Sequence, residues 1–415
     1  MNSSILYGPF RQVLPMEGLP FKGPVPDVRM PVLENAGILI HHDKIQQIGR
    51  YGDLLTIAKE NQFRIVHEPD DLVVLPGLID CHTHVCFAGT RSDDFAARLS
   101  GKSYAEIAAA GGGIWNTVTQ TRALDNQRLA DQTVQRVNKH FRDGITTVEV
   151  KSGYGLSTME ELRLLQIIRQ AGQSCESDLV STCLAAHIKP KDFNGSSGEY
   201  LRTIIEELVP VILEKDLTKR MDIYIDETGF SFDDGKFFLQ NIKQSGFDFT
   251  VHADQFMRGG SKLAVEMGAM SADHLEASTE NEIDLLAQSN VTAVCLPGAS
   301  LGMGLPFAPV RKLLNAGACV AIASDWNPGT APMGDLLLQA SVLCTYEHLT
   351  MAETFAGITY RAASALNMPD RGILKAGFLA DMIAFPVPDY KEIIYHQGTL
   401  KPSQIWKKGK QTTYA

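Results

Sequence analysis

The sequence predicts an α/β protein built on a (β/α)8 barrel, with a small composite β domain formed by both chain ends. Three observations carry that expectation. Eight short apolar runs alternate with helical stretches, the pattern of parallel strands joined by crossover helices, and eight strands close such a barrel. Seven of the eight runs end in polar, titratable residues, as expected where the C-terminal strand ends of a barrel converge on one face. The two ends of the chain read instead as β hairpins.

In chain order the runs are LVVLPGLID, ending before Cys81; GITTVEV from Gly144; LVSTCLAA from Leu179; MDIYID from Met221; FDFTV from Phe247; AMSAD from Ala269; VTAVCL from Val291; and ACVAIAS from Ala318. After the second run, Ser157 with Glu160 predicts a capping box, and Leu162, Leu165 and Ile168 then recur at helical spacing. The exits carry His82 and His84, Lys151, His187, Asp226 with Glu227, His252, His274, Pro297, and Asp325. Near the N-terminus, VLENAGILIHHDKIQQIG gives two strand-like runs around a His41-His42-Asp43-Lys44 turn, and RGILKAGFLADMIAF near the C-terminus reads as a second hairpin. A barrel's first and last strands are neighbours, so the two ends can meet. Residues 1–75 and 370–415 are therefore assigned to a sandwich-like β domain and residues 76–369 to the barrel.

Composition narrows the function. With 415 residues, 44% hydrophobic and 21% charged, the chain is an ordinary globular one, not a disordered or collagen-like one. Lys+Arg 38 against Asp+Glu 48 gives 38 − 48 = −10, spread without long runs, which disfavours nucleic acid and anionic membrane as partners. Seven scattered cysteines do not form a disulfide framework, and the N-terminal segment lacks the pattern of a secretory signal, so a cytoplasmic location is expected. A homodimer is the candidate assembly, which the sequence does not fix.

His82-Thr83-His84 follows the first run. Residues two apart on a strand face the same side, so both imidazoles would point into the barrel within reach of one metal ion, at about 2.0–2.1 Å per nitrogen. His252 and Asp325, from the fifth and eighth runs, complete a shell of three nitrogens and one oxygen, the ligand types that suit one divalent ion per chain, zinc or iron. Cys81 faces away from both histidines on such a strand and reads as a buried apolar residue. His41, His42, His67, His140, His348 and His396 are given no role.

The stretch PGLIDCHTH, Pro76 to His84, resembles the metal-binding strand of the amidohydrolase superfamily of TIM-type barrels, and GILKAGFLAD, Gly372 to Asp381, is similar to its closing hairpin. The segments GKSYAEIAAAGGGI, VEVKSGYGL, AAH at His187, HADQ from His252, SADHLE and SDWNPGT together resemble the imidazolonepropionase family, over nearly the whole chain. The resemblance implies a metal-dependent hydrolase that opens the ring of 4-imidazolone-5-propanoate with water to give N-formimidoyl-L-glutamate, a step of histidine degradation. Its partner would be that small anionic molecule. Arg91 would grip the propanoate with paired charge-assisted hydrogen bonds. Tyr104 and Tyr154 would line the pocket, and His187 would donate a hydrogen bond to the ring or its carbonyl. Asn327, Gly329 and Thr330 would reach substrate through amide, backbone N–H and hydroxyl. Asp325 and His274 would assist the attack of water, the order of their proton transfers left open.

Gln255 stands where some family members place Glu; an amide can orient substrate or water but is no base near neutral pH. Trp326 either lines the pocket or packs beside it. Lys151 could be misread as a carboxylated lysine bridging two metals, whereas Glu149, two residues earlier on the same face, favours an internal ion pair. Two other readings stand beside this one. A deaminase or amidine hydrolase of the superfamily would share the metal strand, and a non-catalytic assembly protein on the same barrel would have lost the ligands that are all present here.

Overall fold

The computed structural model describes residues 4–413, apart from the side chains at positions 104, 105, 108 and 413. Eight parallel strands, Leu78–Asp80, Ile145–Lys151, Asp178–Ala186, Arg220–Ile225, Asp248–Ala253, Ser271–His274, Thr292–Cys295 and Cys319–Ile322, hydrogen-bond in sequence order. The ring closes just beyond the strand ends. Thr83 pairs with Trp326, His84 N donates to Trp326 O at 2.9 Å and Asp325 N to His82 O at 3.0 Å. Lower down the same seam, Asp80 Oδ1 accepts from Ser324 N at 3.0 Å. The first and eighth strands are therefore joined by the segments that carry the predicted ligands.

Crossover helices cover the barrel with apolar faces. Thr158–Gly172 buries Leu164, Leu165, Ile167, Ile168 and Ala171. Its predicted capping box is only half made. Ser157 Oγ accepts from Glu160 N, but the Glu160 carboxylate bonds Arg163 Nε at 2.8 Å, because a guanidinium attracts it more strongly than a neutral backbone N–H does.

The run LVVLPGLID is not one strand. Leu72–Pro76 pairs antiparallel with Met382–Pro386 in the terminal sheet, and Leu78–Asp80 starts the barrel. Gly77 makes the switch: its N–H bonds Asp381 O at 2.9 Å, and a Cβ there would collide with the Thr146 side chain.

The chain ends form a second eight-stranded sheet from Ser4–Val13, Leu33–His41, Lys44–Arg50, Arg64–His67, Leu72–Pro76, Met382–Pro386, Gln404–Lys407 and Lys410–Thr413. The strands are hydrogen-bonded into one continuous sheet. It branches at Ser4–Val13, whose first half pairs with Arg64–His67 and second half with Leu72–Pro76. That strand is hidden in the sequence by Gly8-Pro9, a turn-like dipeptide that sits here within a register shift between Tyr7 and Phe10. Trp406, fully buried, meets Tyr7 and Phe10 edge-on at 5.6 and 5.9 Å. The sheet is tied to the barrel by charge: Asp178, at the start of the third barrel strand, accepts from Arg371, Lys407 and Lys408 at 2.7–2.9 Å. Burial alone would raise the Asp178 carboxyl, but those three cations outweigh it and hold its pKa well below the usual carboxylate range.

Candidate active site and metal centre

His82 and His84 leave the first barrel strand on the same side, as their spacing requires, and His252 meets them from the fifth. All three are buried. His84 Nε2 lies 3.2 Å from His82 Nε2 and 3.3 Å from His252 Nε2, and Asp325 Oδ1 is 3.4 Å from His84 Nε2 and 3.6 Å from His82 Nε2. Among the described residues Asp325 Oδ1 has no hydrogen-bond partner. Burial drives the His82 pKa well below its ordinary value, and those of His84 and His252 down to about 3, so all three imidazoles are neutral. Three neutral imidazoles and a carboxylate oxygen converging on one point form a donor set for a transition-metal ion.

Two carboxylates behind the histidines orient them. Asp273 Oδ2 lies 2.6 Å from His82 Nδ1, and Asp222 Oδ2 lies 3.0 Å from His252 Nδ1. With His82 Nδ1 hydrogen-bonded to Asp273 and His252 Nδ1 facing Asp222, the Nε2 lone pairs are directed inward. The charge count points the same way. Around the cluster the acidic groups Glu149, Asp222, Asp273 and Asp325 outnumber the cations Lys151 and Arg220, an acidic excess that suits a bound cation. Burial raises the Asp325 carboxyl and pushes Asp273 up to about 7, as expected of carboxylates short of positive charge.

Lys151 is fully buried, its Nζ 2.8 Å from Glu149 and 2.8 Å from Asp222. Burial lowers the ammonium pKa, but these carboxylates outweigh it and raise it overall. The structure thus places Lys151 in the internal ion pair that the nearby Glu149 suggests.

Above the cluster opens a cavity of about 640 Å³, with Arg91, Tyr154, His187, Gln255, His274 and Thr330 on its wall. Arg91 Nε is pinned by Asp94 at 2.7 Å, and Asp94 also receives Gly113 N, so one edge of the guanidinium is fixed. His274 Nδ1 lies 3.5 Å from Glu276. Burial lowers its pKa, but Glu276 and Asp325 more than compensate and the net shift is upward. The backbone is strained at this rim, with φ +95° at His274, +74° at Leu275 and +51° at Asp325.

The amidohydrolase family profile matches residues 73–412. An imidazolonepropionase of Erwinia tasmaniensis is 38% identical over 386 residues, covering 92% of this chain and 94% of its own. One of Rubrobacter xylanophilus is 38% identical over 382 residues, covering 92% and 91%. The chain belongs to the imidazolonepropionase family of amidohydrolases. It is a hydrolase. Among solved structures, a zinc-bound adenosine deaminase of Xanthomonas campestris superposes with a TM-score of 0.70 at 18% identity, covering 99% of this chain and 92% of that one. Zinc-complexed atrazine chlorohydrolase of Arthrobacter aurescens gives 0.71 at 16%, covering 99% and 95%. These two likenesses concern the fold alone.

Within this imidazolonepropionase-family chain, several side chains do other work than the sequence suggests. Asn327 spends its whole amide inside its own loop: Nδ2 donates to Asp325 O at 2.7 Å, Asp325 Oδ2 at 2.9 Å and Thr330 Oγ1 at 2.9 Å, while Oδ1 accepts from Gly329 N and Thr330 N. The Gly329 N–H is thus taken, and the residue is a glycine because a Cβ would collide with the Arg91 guanidinium. His187 Nδ1 lies 3.0 Å from Gly153 O, and a carbonyl can only accept, so the neutral ring turns Nε2 outward as an acceptor where a donor was expected. Burial lowers the His187 pKa to about 4. Gln255 Oε1 accepts from Tyr224 OH at 3.0 Å, leaving its NH2 as the free end.

Trp326 packs beneath the site against His140, ring centroids 4.7 Å apart. His140 itself is buried 3.2 Å from Asp80, a structural place in the barrel seam. Cys81 sits in an apolar cluster with Val294 and Ala362, away from the histidines. The side chain of Tyr104 lies outside the described residues. Sequence reasoning missed Asp222 and Asp273, although each is a lone carboxylate inside an apolar strand run, which is itself a signal. It also missed Glu161, whose carboxylate receives the N–H groups of Gly153, Gly155 and Leu156 and so shapes the loop that presents Tyr154.

Proposed function

We propose that the protein hydrolyses 4-imidazolone-5-propanoate to N-formimidoyl-L-glutamate. The observation that carries this reading is the three-histidine, one-aspartate cluster at the floor of a cavity whose wall holds Arg91, in a chain of this family. His82, His84, His252 and Asp325 would hold one divalent ion, zinc or iron. When bound, such an ion supplies Lewis-acid polarisation of a carbonyl and makes water more acidic.

The chain's own residues account for the rest. Arg91 grips the propanoate carboxylate with the guanidinium edge that Asp94 leaves open. His187 Nε2 accepts a ring N–H, and the Gln255 amide donates to the substrate. Asn327 holds Asp325 Oδ2, so that this carboxylate is aimed to accept the proton of the attacking water. Water adds to the ring carbonyl carbon, and the C–N bond to the adjacent ring nitrogen then breaks. That nitrogen takes a proton, which His274, with its raised pKa, is suited to deliver, and the carbonyl carbon becomes a carboxylate of the product.

The partner is this small anion, which must be drawn in by Arg91 against a net charge of −10. Among the described residues no helix is long and apolar enough to cross a membrane, and seven free thiols suit the reducing cytoplasm.

The test is the loss of imidazolonepropanoate absorbance, run beside purines, pyrimidines and formimidoylglutamate, before and after chelation. Turnover of imidazolonepropanoate alone, lost with the metal and restored by zinc or ferrous ion, is expected. Preferential turnover of another of these compounds would replace the proposal by the deaminase or amidine-hydrolase reading.

A further inference from the structure

Lys151 ends the second barrel strand, wholly buried, and the chemistry above leaves it without a task. Its Nζ lies 2.8 Å from Asp222 Oδ2 on the fourth strand and 3.9 Å from Asp273 Oδ2 on the sixth. These are the same two oxygens that face His252 Nδ1 at 3.0 Å and His82 Nδ1 at 2.6 Å. The ammonium is in close contact with the Asp222 oxygen, whereas the Asp273 oxygen, which accepts from Thr250 Oγ1 at 3.1 Å, is reached by its charge across 3.9 Å. It links three strands and, through them, two ligands that leave the first and fifth.

The geometry has a direct consequence. A carboxylate is free to rotate about its last bond, and two carboxylates facing one dry space repel each other. A cation beside them draws Asp222 Oδ2 to Nζ at 2.8 Å and, at 3.9 Å, offsets the negative charge of Asp273. Glu149 is the counterweight. It contacts Nζ at 2.8 Å and accepts from Thr182 at 2.6 Å, which fixes Lys151 laterally on its own strand.

We propose that Lys151 is a positioning residue of the metal centre: it holds Asp222 against His252 and balances the charge of Asp273 behind His82, so that both histidines present Nε2 to one point. This rests on the metal-site reading above. The competing account is that Lys151 only neutralises Glu149.

The test measures Zn(II) affinity by competition with a chromogenic chelator, and the visible spectrum of the Co(II)-loaded protein, which reports ligand geometry independently of activity. Wild-type protein is expected to bind one Zn(II) per chain; failure to bind would overturn the metal reading and this proposal with it. Lys151→Met combined with Glu149→Gln removes one charge of each sign and leaves no bare carboxylate at Glu149. That pair is expected to fold, as followed by circular dichroism of the metal-free form. It should bind Zn(II) about 10–100-fold more weakly and shift the Co(II) bands. Asp222→Asn alone should give a comparable loss, and adding it to the pair should add little, since both act on His252. Wild-type affinity and an unchanged Co(II) spectrum in the pair would overturn the proposal, as would fully additive losses. If neither Lys151→Met nor the pair folds, Lys151 is a folding residue and the proposal likewise fails.

Discussion

Asn327→Ala separates two accounts of the loop after the eighth strand. If Asn327 contacted substrate, as its place beside Asp325 suggests, its loss would chiefly raise KM. The structure commits the hydrogen bonds of its amide to the loop, although the side chain also lines the cavity. Removing it deletes one hydrogen bond to the Asp325 carboxylate and leaves the N–H groups of Gly329 and Thr330 without their acceptor. A hydrogen bond to a charged group is worth about 1.5–3 kcal/mol, and if that energy holds Asp325 in its reactive orientation, kcat should fall roughly 10–150-fold. The Gly329 N–H is buried and the Thr330 N–H half-buried, so the loss in folding stability should be about 2–5 kcal/mol in total. Steady-state kinetics with metal in excess, together with urea unfolding, measure the two quantities. Asn327→Asp is the companion variant: it keeps the acceptor for the two N–H groups but sets a second carboxylate oxygen against Asp325 Oδ2, so it should lose at least as much kcat as Asn327→Ala. A rise in KM with kcat unchanged in Asn327→Ala would refute the reasoning and return Asn327 to the substrate.

Three further outcomes are expected. His274→Ala should cost on the order of 10²–10⁴ in kcat, and near-wild-type turnover would remove His274 from the proton transfers. The depressed pKa of Asp178 means that its ion pairs stabilise the fold fully above the unfolded carboxylate pKa of about 3.9 and lose that contribution as pH falls through and below it. The gap in urea midpoint between wild type and Asp178→Asn should therefore shrink from pH 5 to pH 2.5, and a gap independent of pH would contradict the assignment. Gly77→Ala should destabilise by about 1–3 kcal/mol through overlap with Thr146, and Thr146→Ala should recover most of it; equal stability of Gly77→Ala and wild type would show that the sheet switch tolerates a Cβ.

The barrel was legible because each of its strands is a local event: an apolar run, a polar exit, then helical spacing. The same rule misread LVVLPGLID, since a continuous apolar run does not say which of two sheets each half joins, and Gly77 makes that choice through a contact with Thr146, far along the chain. It also passed over Ser4–Val13, where the Gly8-Pro9 signal for a turn was overridden by pairing with strands on both sides. His82 and His84 were legible as a pair from strand parity, and the strand-exit histidines as neighbours because the C-terminal ends of barrel strands must converge, but only the structure separates His252 from His187 and His274.

By itself, then, the sequence determined which side chains reach the mouth of the barrel, a property of strand period and order. Only the tertiary structure decided how each of them spends its donors and acceptors. His82 finds Asp273 across 191 residues, Lys151 finds Asp222 two strands away, and the Gly153 carbonyl turns His187 from a donor into an acceptor. Side-chain position follows from local periodicity, whereas hydrogen-bond polarity depends on partners whose distance along the chain carries no periodic signal.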